Sequence, residues 1–286
     1  MLYEDTFRRL EIEVETNIQH LFELAYKNQT HDGDMFLVLE HGFYQKEYEQ
    51  FDAPYAIGPF EIGFAEFTMD KFFNGHLGST IKPGERESIL KDIIAKKQYL
   101  HNTEEYSVNI EMLMYLKFWE SDIILKRLYQ LCMLAQNKDY DWYKEFHRKG
   151  KLMNHILESL QHIDITIHDF IKKVYKPQIR NAIAHSGFSI MFSRNINFLN
   201  FDNKTNDIST LNFEEWEYYI HYTILIWEHL HKQMDLYQQK YITHSNEHHY
   251  GVEVRHIKPD GNHFMRFKKY EPEIPRWTDY DVLPKH

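Results

Sequence analysis

Pro177-Gln178-Ile179-Arg180-Asn181-Ala182-Ile183-Ala184-His185-Ser186-Gly187 is the stretch on which the reading of this chain turns. Proline is pre-set for the first turn of a helix, and glycine is the usual residue just past its end. The spacing therefore predicts a short helix from about Pro177 to Ser186. On that helix Asn181 and His185 are four apart and share a face. Arg180 lies about 100° round from Asn181, and its long side chain reaches the same side. Ile179, Ala182 and Ile183 are left to pack elsewhere. His185 falls in the last turn, where the helix dipole favours the imidazolium, and a histidine near its titration point suits general acid–base work. One amphipathic helix thus carries a permanent cation, an amide and an imidazole, groups that hold a phosphodiester and move protons around it. Arg148 and His155 repeat the pair at a looser spacing. They straddle the Arg148-Lys149-Gly150-Lys151 connection and a helix start, so the chemistry is assigned to Arg180, Asn181 and His185.

Outward from the motif, the chain reads as helices. Leu152 to Tyr175 carries a stripe of Ile156, Leu160, Ile163, Ile167, Phe170 and Val174, and leads directly into the motif. Tyr106 to Gln136 reads as one long helix with Leu113, Leu116, Ile123, Ile124, Leu131 and Ala135 on one side. Glu120 and Arg127 fall in the middle of that side, seven residues apart and almost in line. Ionisable groups centred on an apolar face are costly unless paired or used. Either they belong to buried structural ion pairs, or Glu120 orients a catalytic arginine or histidine and Arg127 adds to phosphate binding. Downstream, Phe188 to Leu211 reads as a loop or small hairpin. Asn212 then caps a long helix, with Glu215 at the capping-box position, running to about Ile242.

The flanks divide the chain into 1–105, 106–242 and 243–286. The first region holds a helix over Leu2 to Tyr26, and an aromatic- and glycine-rich insertion (34–77) of loops, short strands or helical turns. A second helix there spans Glu85 to Tyr99. The last region is an arm with strands at Val252–Val254 and Phe264–Phe267 across Pro259-Asp260-Gly261, then an extended end from Glu271 to His286. No internal repeat is present.

At 286 residues the chain can bury a large core, and 43% apolar content with 8 prolines and 11 glycines favours a folded, mainly helical protein. The single cysteine, Cys132, excludes an internal disulfide and lies in an apolar run, as a small buried residue would. The N-terminus lacks the apolar core of a signal peptide, and no apolar run approaches a membrane span, so a soluble cytoplasmic protein without membrane contact is expected. A net charge of −10 argues against broad nucleic-acid binding, which phosphate neutralisation drives. It leaves room for a local basic site. Lys172, Lys173 and Lys176 cluster before Arg180; Arg255, Lys258, Arg266, Lys268 and Lys269 form a second cluster. The histidines offer no His-Glu-x-x-His, and there is no phosphate-binding glycine loop. His244, His248, His249 and His256 read as solvated or packed, so neither a metal nor a cofactor is expected.

The pattern of two long helices, a short helix carrying Arg-Asn-x3-His, a loop and a closing long helix resembles the HEPN superfamily (higher eukaryotes and prokaryotes nucleotide-binding) over roughly Tyr106 to Ile242. The resemblance implies a mainly α, HEPN-like helical bundle with an irregular N-terminal insertion and an extended or small β C-terminal arm. Active members of that family are metal-independent endoribonucleases, so Arg180, Asn181 and His185 are the implied catalytic positions, with RNA as substrate. It further implies a symmetric homodimer joining two motifs in one cleft, a role in toxin or antiviral defence or stress response, and an antitoxin or regulatory protein as partner. In one subgroup of family toxins a tyrosine two residues after the histidine is modified; here Gly187 stands there. The alternative is a catalytically inert HEPN-type module for dimerisation or nucleotide binding.

Overall fold

The breaks between helices are set by local capping. The structure, a computed structural model, describes residues 4–51, 54–58, 66–73, 104–144, 149–191, 194–200 and 208–280. The expected helix over Glu85–Tyr99 lies outside them. In order the elements are α1 (Glu4–Asn28), α2 (Asp34–Leu39), β1 (Phe43–Tyr44), a 3₁₀ turn (Lys46–Phe51) and β2 (Tyr55–Ala56). A helix α3 follows at 66–73. Then come α4 (Glu104–Trp119), α5 (Asp122–Ala135), α6 (Lys149–Ile163), α7 (Ile165–Val174), α8 (Pro177–Ala184), β3 (Phe188–Met191), β4 (Asn195–Phe198) and β5 (Thr210–Asn212). The chain ends in α9 (Phe213–Glu247), β6 (Val252–Ile257), β7 (His263–Glu271) and β8 (Arg276–Tyr280). The described residues are 63% helical, so the class is mainly α, with a small C-terminal three-stranded antiparallel sheet. Among them, no helix is long and apolar enough to cross a membrane.

Two helices expected to be continuous are each two. The Tyr106–Gln136 stretch breaks at Glu120 and Ser121. The Ser121 N–H turns back to the Phe118 carbonyl at 3.2 Å, a tighter three-residue closure, and Asp122 begins α5 with a carboxylate in its first turn. The Leu152–Tyr175 stretch breaks at Asp164, whose Oδ1 accepts the Thr166 and Ile167 N–H groups at 2.7 and 3.3 Å. That is an N-cap in which the carboxylate satisfies donors that have no partner inside the helix. In both places the apolar period runs on across the cap.

The closing helix starts as expected. Asn212 Oδ1 accepts the Glu215 N–H at 2.8 Å, and Glu215 Oε2 accepts the Asn212 N–H at 2.9 Å. It runs five residues beyond Ile242, to Glu247. Phe188–Leu211 contains the hairpin: β3, β4 and β5 form an antiparallel sheet in that order, with Ile190 opposite Ile196. Strands β6 and β7 lie across the Pro259-Asp260-Gly261 turn. The expected extended end is instead partly β8, paired with β7 from Phe267–Tyr280 to Glu271–Arg276.

The chain packs as two units, each assembled from three separate stretches. The first comprises Met1–Thr16, Phe64–Ile124 and Asp169–Trp227; the second comprises Asn17–Gly63, Leu125–His168 and Glu228–His286. In the first, Phe7, Leu10 and Val14 of α1 are buried with Met112, Phe118 and Trp119 of α4, Ile171 and Val174 of α7, and Trp216 and Ile220 of α9. The Tyr115 ring lies 5.7 Å from Trp216. Its hydroxyl donates to the Val174 carbonyl at 3.1 Å and accepts the Lys176 N–H at 3.0 Å. One α4 side chain thereby fixes the α7–α8 junction. In the second unit, Ile18, Leu21 and Phe22 of α1 are buried with Met35–Leu39, Leu128, Leu131, Ile156, Leu160, Leu230 and Val254. Cys132 is buried there, and burial pushes its thiol pKa up.

Candidate active site around Arg180

Helix α8 is held at both ends. At its start Lys176 is extended (φ −120°, ψ 106°), the conformation that a following proline imposes, and Pro177 takes the first turn. The Gln178 side-chain amide pairs with the backbone of Ile208 in both directions, at 2.8 Å each. Asn200 donates to the Gln178 carbonyl at 2.9 Å. At its end the helix closes at Ala184, two residues earlier than Ser186. His185 is the C-cap (φ −108°, ψ 12°). Ser186, not Gly187, takes the left-handed conformation at φ 54°. The Gly187 N–H reaches back to the Ala182 carbonyl at 2.7 Å, and the Ser186 N–H to Ile183 at 3.2 Å. This is a Schellman closure with serine in the position that glycine normally fills.

Ile179, Ala182 and Ile183 face the core, as the sequence predicts. Arg180 and Asn181 are half-buried, and His185 is exposed. Arg180 Nε ion-pairs closely with Glu120 Oε1, the two side chains being 19% and 28% exposed. Arg180 also donates from Nη1 to Asn181 Oδ1 at 2.5 Å. The guanidinium is therefore held by one ion pair and one hydrogen bond, which leaves the Asn181 NH2 group as a donor. The Tyr175 ring lies 5.2 Å from that of Trp119, tilted at 55°, and Trp119 is next to Glu120 in the chain. Burial raises the Tyr175 hydroxyl pKa; the Arg180 charge opposes that rise and Glu120 adds to it. Glu120, Arg180 and Asn181 thus form one group against an aromatic wall. His185 N–H donates to the Asn181 carbonyl at 3.1 Å. Its imidazole makes no hydrogen bond or ion pair among the described residues, and it sits at the C-terminal, negative end of α8.

The remaining predicted residues divide. Arg127 lies on α5, beyond the break at Glu120 and Ser121, and not on one continuous helix with Glu120. Arg127 is 1% exposed in the second unit, where its Nη2 lies 2.7 Å from His41 Nε2. Lys173 Nζ lies 2.9 and 3.0 Å from the two Glu13 oxygens and 2.6 Å from the Tyr222 hydroxyl. Its charge is matched within the first unit. Lys172 is exposed, and Lys176 Nζ donates to the Lys172 carbonyl at 3.1 Å. Partial burial, and then the Lys172 charge, lower the Lys176 pKa. Sequence reasoning missed Tyr175, whose signal was its place two residues before Pro177. It also missed Glu13, for which no local signal exists.

Among the described residues no group of three or more His, Cys, Asp and Glu side chains is placed to hold a metal. No protein-family model, curated protein or solved structure matches the chain.

Proposed function

We propose that the protein is a metal-independent endoribonuclease of the HEPN type. The observation that carries this reading is the fixing of Arg180 between Glu120 and Asn181 on the same eight-residue helix that ends in an exposed His185. In the reaction, the ribose 2′-oxygen forms a bond to phosphorus while the bond from phosphorus to the 5′-oxygen breaks. His185 takes the 2′-hydroxyl proton, and a protonated imidazole returns a proton to the 5′-oxygen, leaving a 2′,3′-cyclic phosphate. Arg180 carries the charge that builds on the phosphorane oxygens. Asn181 contributes its NH2 to the same phosphate, and Lys172 and Lys176 follow the backbone.

One motif supplies one imidazole, whereas the reaction uses a base and an acid. A homodimer bringing two copies of α8 across a two-fold axis into one RNA cleft supplies both. A cytoplasmic role in toxin or antiviral defence or stress response, restrained by an antitoxin or regulatory protein, follows from the same reading. The experiment is cleavage of end-labelled mixed RNAs in excess EDTA, with His185→Ala alongside. Cyclic phosphate ends, lost by a factor of about 10²–10⁴ in the variant, are the expected result. No cleavage, or cleavage indifferent to His185, overturns it. A second reading, an inert dimerisation or nucleotide-binding module, is favoured by the Glu120 carboxylate already neutralising Arg180; it predicts dimers without cleavage.

A further inference from the structure

The histidines that gather near the C-terminus in sequence have three fates. His256 is 1% exposed and stacked between Trp142 and Phe264 at 4.8 and 4.9 Å, and burial holds its pKa down to about 3. His249 Nε2 and the Tyr280 hydroxyl are 2.8 Å apart. His244 and His248 remain, four residues apart across the exposed end of α9, with rings stacked at 4.0 Å and 19°. His248 Nδ1 lies 2.9 Å from the His244 carbonyl oxygen, which can only accept. The proton of the neutral ring is therefore on Nδ1 and the lone pair on Nε2. Anchoring one ring nitrogen to a carbonyl so that the other can ligate is how proteins orient metal-binding histidines.

We propose that His244 and His248 form a two-imidazole chelate for a borderline divalent transition-metal ion, Cu²⁺, Ni²⁺ or Zn²⁺, with water completing its coordination. Imidazole nitrogens suit these ions, whereas Mg²⁺ and Ca²⁺ take oxygen ligands. His248 is the residue after α9, but its N–H still closes on the His244 carbonyl at 3.0 Å, so helical spacing with Cβ atoms about 5–6 Å apart applies to the pair, close enough for the two Nε2 atoms to converge on one ion once the His244 ring turns off its stack. His244 also lines a cavity of about 600 Å³ with His31, Asp32 and Glu253, which leaves space for the bound waters and offers the Asp32 carboxylate beside them. Lys269 opposes binding. Its ammonium takes the Ser245 and His248 carbonyls at the helix end, so the affinity comes from the imidazoles and not from the helix dipole. With two protein ligands the site is open and exchangeable, unlike a closed structural site.

The test is calorimetric titration of the full chain, stripped with EDTA and dialysed, with CuCl2, NiCl2 and ZnCl2, together with the EPR spectrum of the Cu²⁺ form. One ion per chain is expected, Cu²⁺ binding tightest, with two nitrogen ligands in the spectrum. Affinity falls at least about tenfold in His244→Ala and in His248→Ala, stays unchanged in His249→Ala, and weakens on acidification because the ligands must be deprotonated. Both substituted positions are exposed, so the metal-free variants melt as the wild type does. Identical titrations of the wild type and both variants, or no binding below about 1 mM, overturn the proposal. The ribonuclease assay runs in EDTA, so each reading stands or fails alone.

Discussion

Replacing Arg255 with methionine removes a cation but keeps the length of its stem, and the structure sets the cost. Arg255 Nη2 bonds the Thr30 hydroxyl at 2.5 Å, Asp139 Oδ1 at 2.7 Å and Asp34 Oδ2 at 3.1 Å. Asp139 is 53% exposed, and its pair contributes about 0–1 kcal/mol. The Asp34 side chain is 1% exposed. Without Arg255 its carboxylate keeps only the Thr30 hydroxyl and the His31 N–H, and stripping the partner from a buried charge costs several kcal/mol. We expect a loss of about 3–4 kcal/mol, or roughly 6–16 °C in melting temperature. Burial already raises the Asp34 pKa, and the Arg255 charge works against that rise. The folded carboxyl therefore binds its proton more tightly than the unfolded one. Its contribution is fully present below the ordinary carboxylate range and is lost as pH rises through the raised folded value. Arg255→Met raises that value further, so its cost is largest at neutral pH and shrinks toward about pH 4. Asp34→Asn in the same chain removes the charge and recovers most of the loss. Urea melts of the wild type and the two variants at pH 7 and at about pH 4 are the assay. A loss under about 1 kcal/mol at pH 7, or one indifferent to pH, refutes the reasoning.

Four further outcomes are expected. Glu120→Gln keeps the shape beside Arg180 but removes its counter-charge; cleavage of RNA falls about 10–100-fold while circular dichroism is unchanged, checked by single-turnover kinetics. Ser186→Gly relieves a left-handed serine and stabilises the protein by about 0.5–1 kcal/mol in denaturant melts. Gly33→Ala places a Cβ 2.1 Å from the Glu253 carbonyl oxygen, where two backbones must part; a loss of about 2–3 kcal/mol is expected by thermal melting. Asp164→Ala removes the α7 cap at a cost of about 1 kcal/mol in urea. Burial acts to raise the Asp164 pKa but is outweighed by hydrogen bonds from Thr166, Ile167 and His20, which leave it lowered. Its stabilisation is therefore present above the ordinary aspartate value and fades as pH falls through the lowered one.

What could be read along the chain was what local rules encode. The Asn212–Glu215 capping box, the Pro177 start, the core face of α8 and the β6–β7 turn each depend on residues within a few positions of one another. The helix breaks at Ser121 and Asp164 were hidden because the apolar period continues through both caps. The cap residues themselves, Ser121-Asp122 and Asp164-x-Thr166, were visible and outweighed by periodicity. The pairing of Lys173 with Glu13 spans 160 residues and leaves no trace in spacing. Glu120 beside Arg180 was one of two readings open to a carboxylate on an apolar stripe. Periodicity conceals the break after Glu120 that puts Arg127 on the next helix. The left-handed residue fell one place early because a Schellman closure counts from the last helical carbonyl and not from the nearest glycine.

Helix α8 is eight residues long, well under the length at which a helix holds itself together in water. The relation of Arg180, Asn181 and His185 is therefore not a property of the motif as a peptide. It is lent by Tyr115 and the Gln178–Ile208 pairing at one end and by the serine closure at the other, which clamp two turns of chain. A fragment carrying the same residues would lose their arrangement. In the whole protein, loosening either clamp would scatter the three groups while the rest of the fold stood.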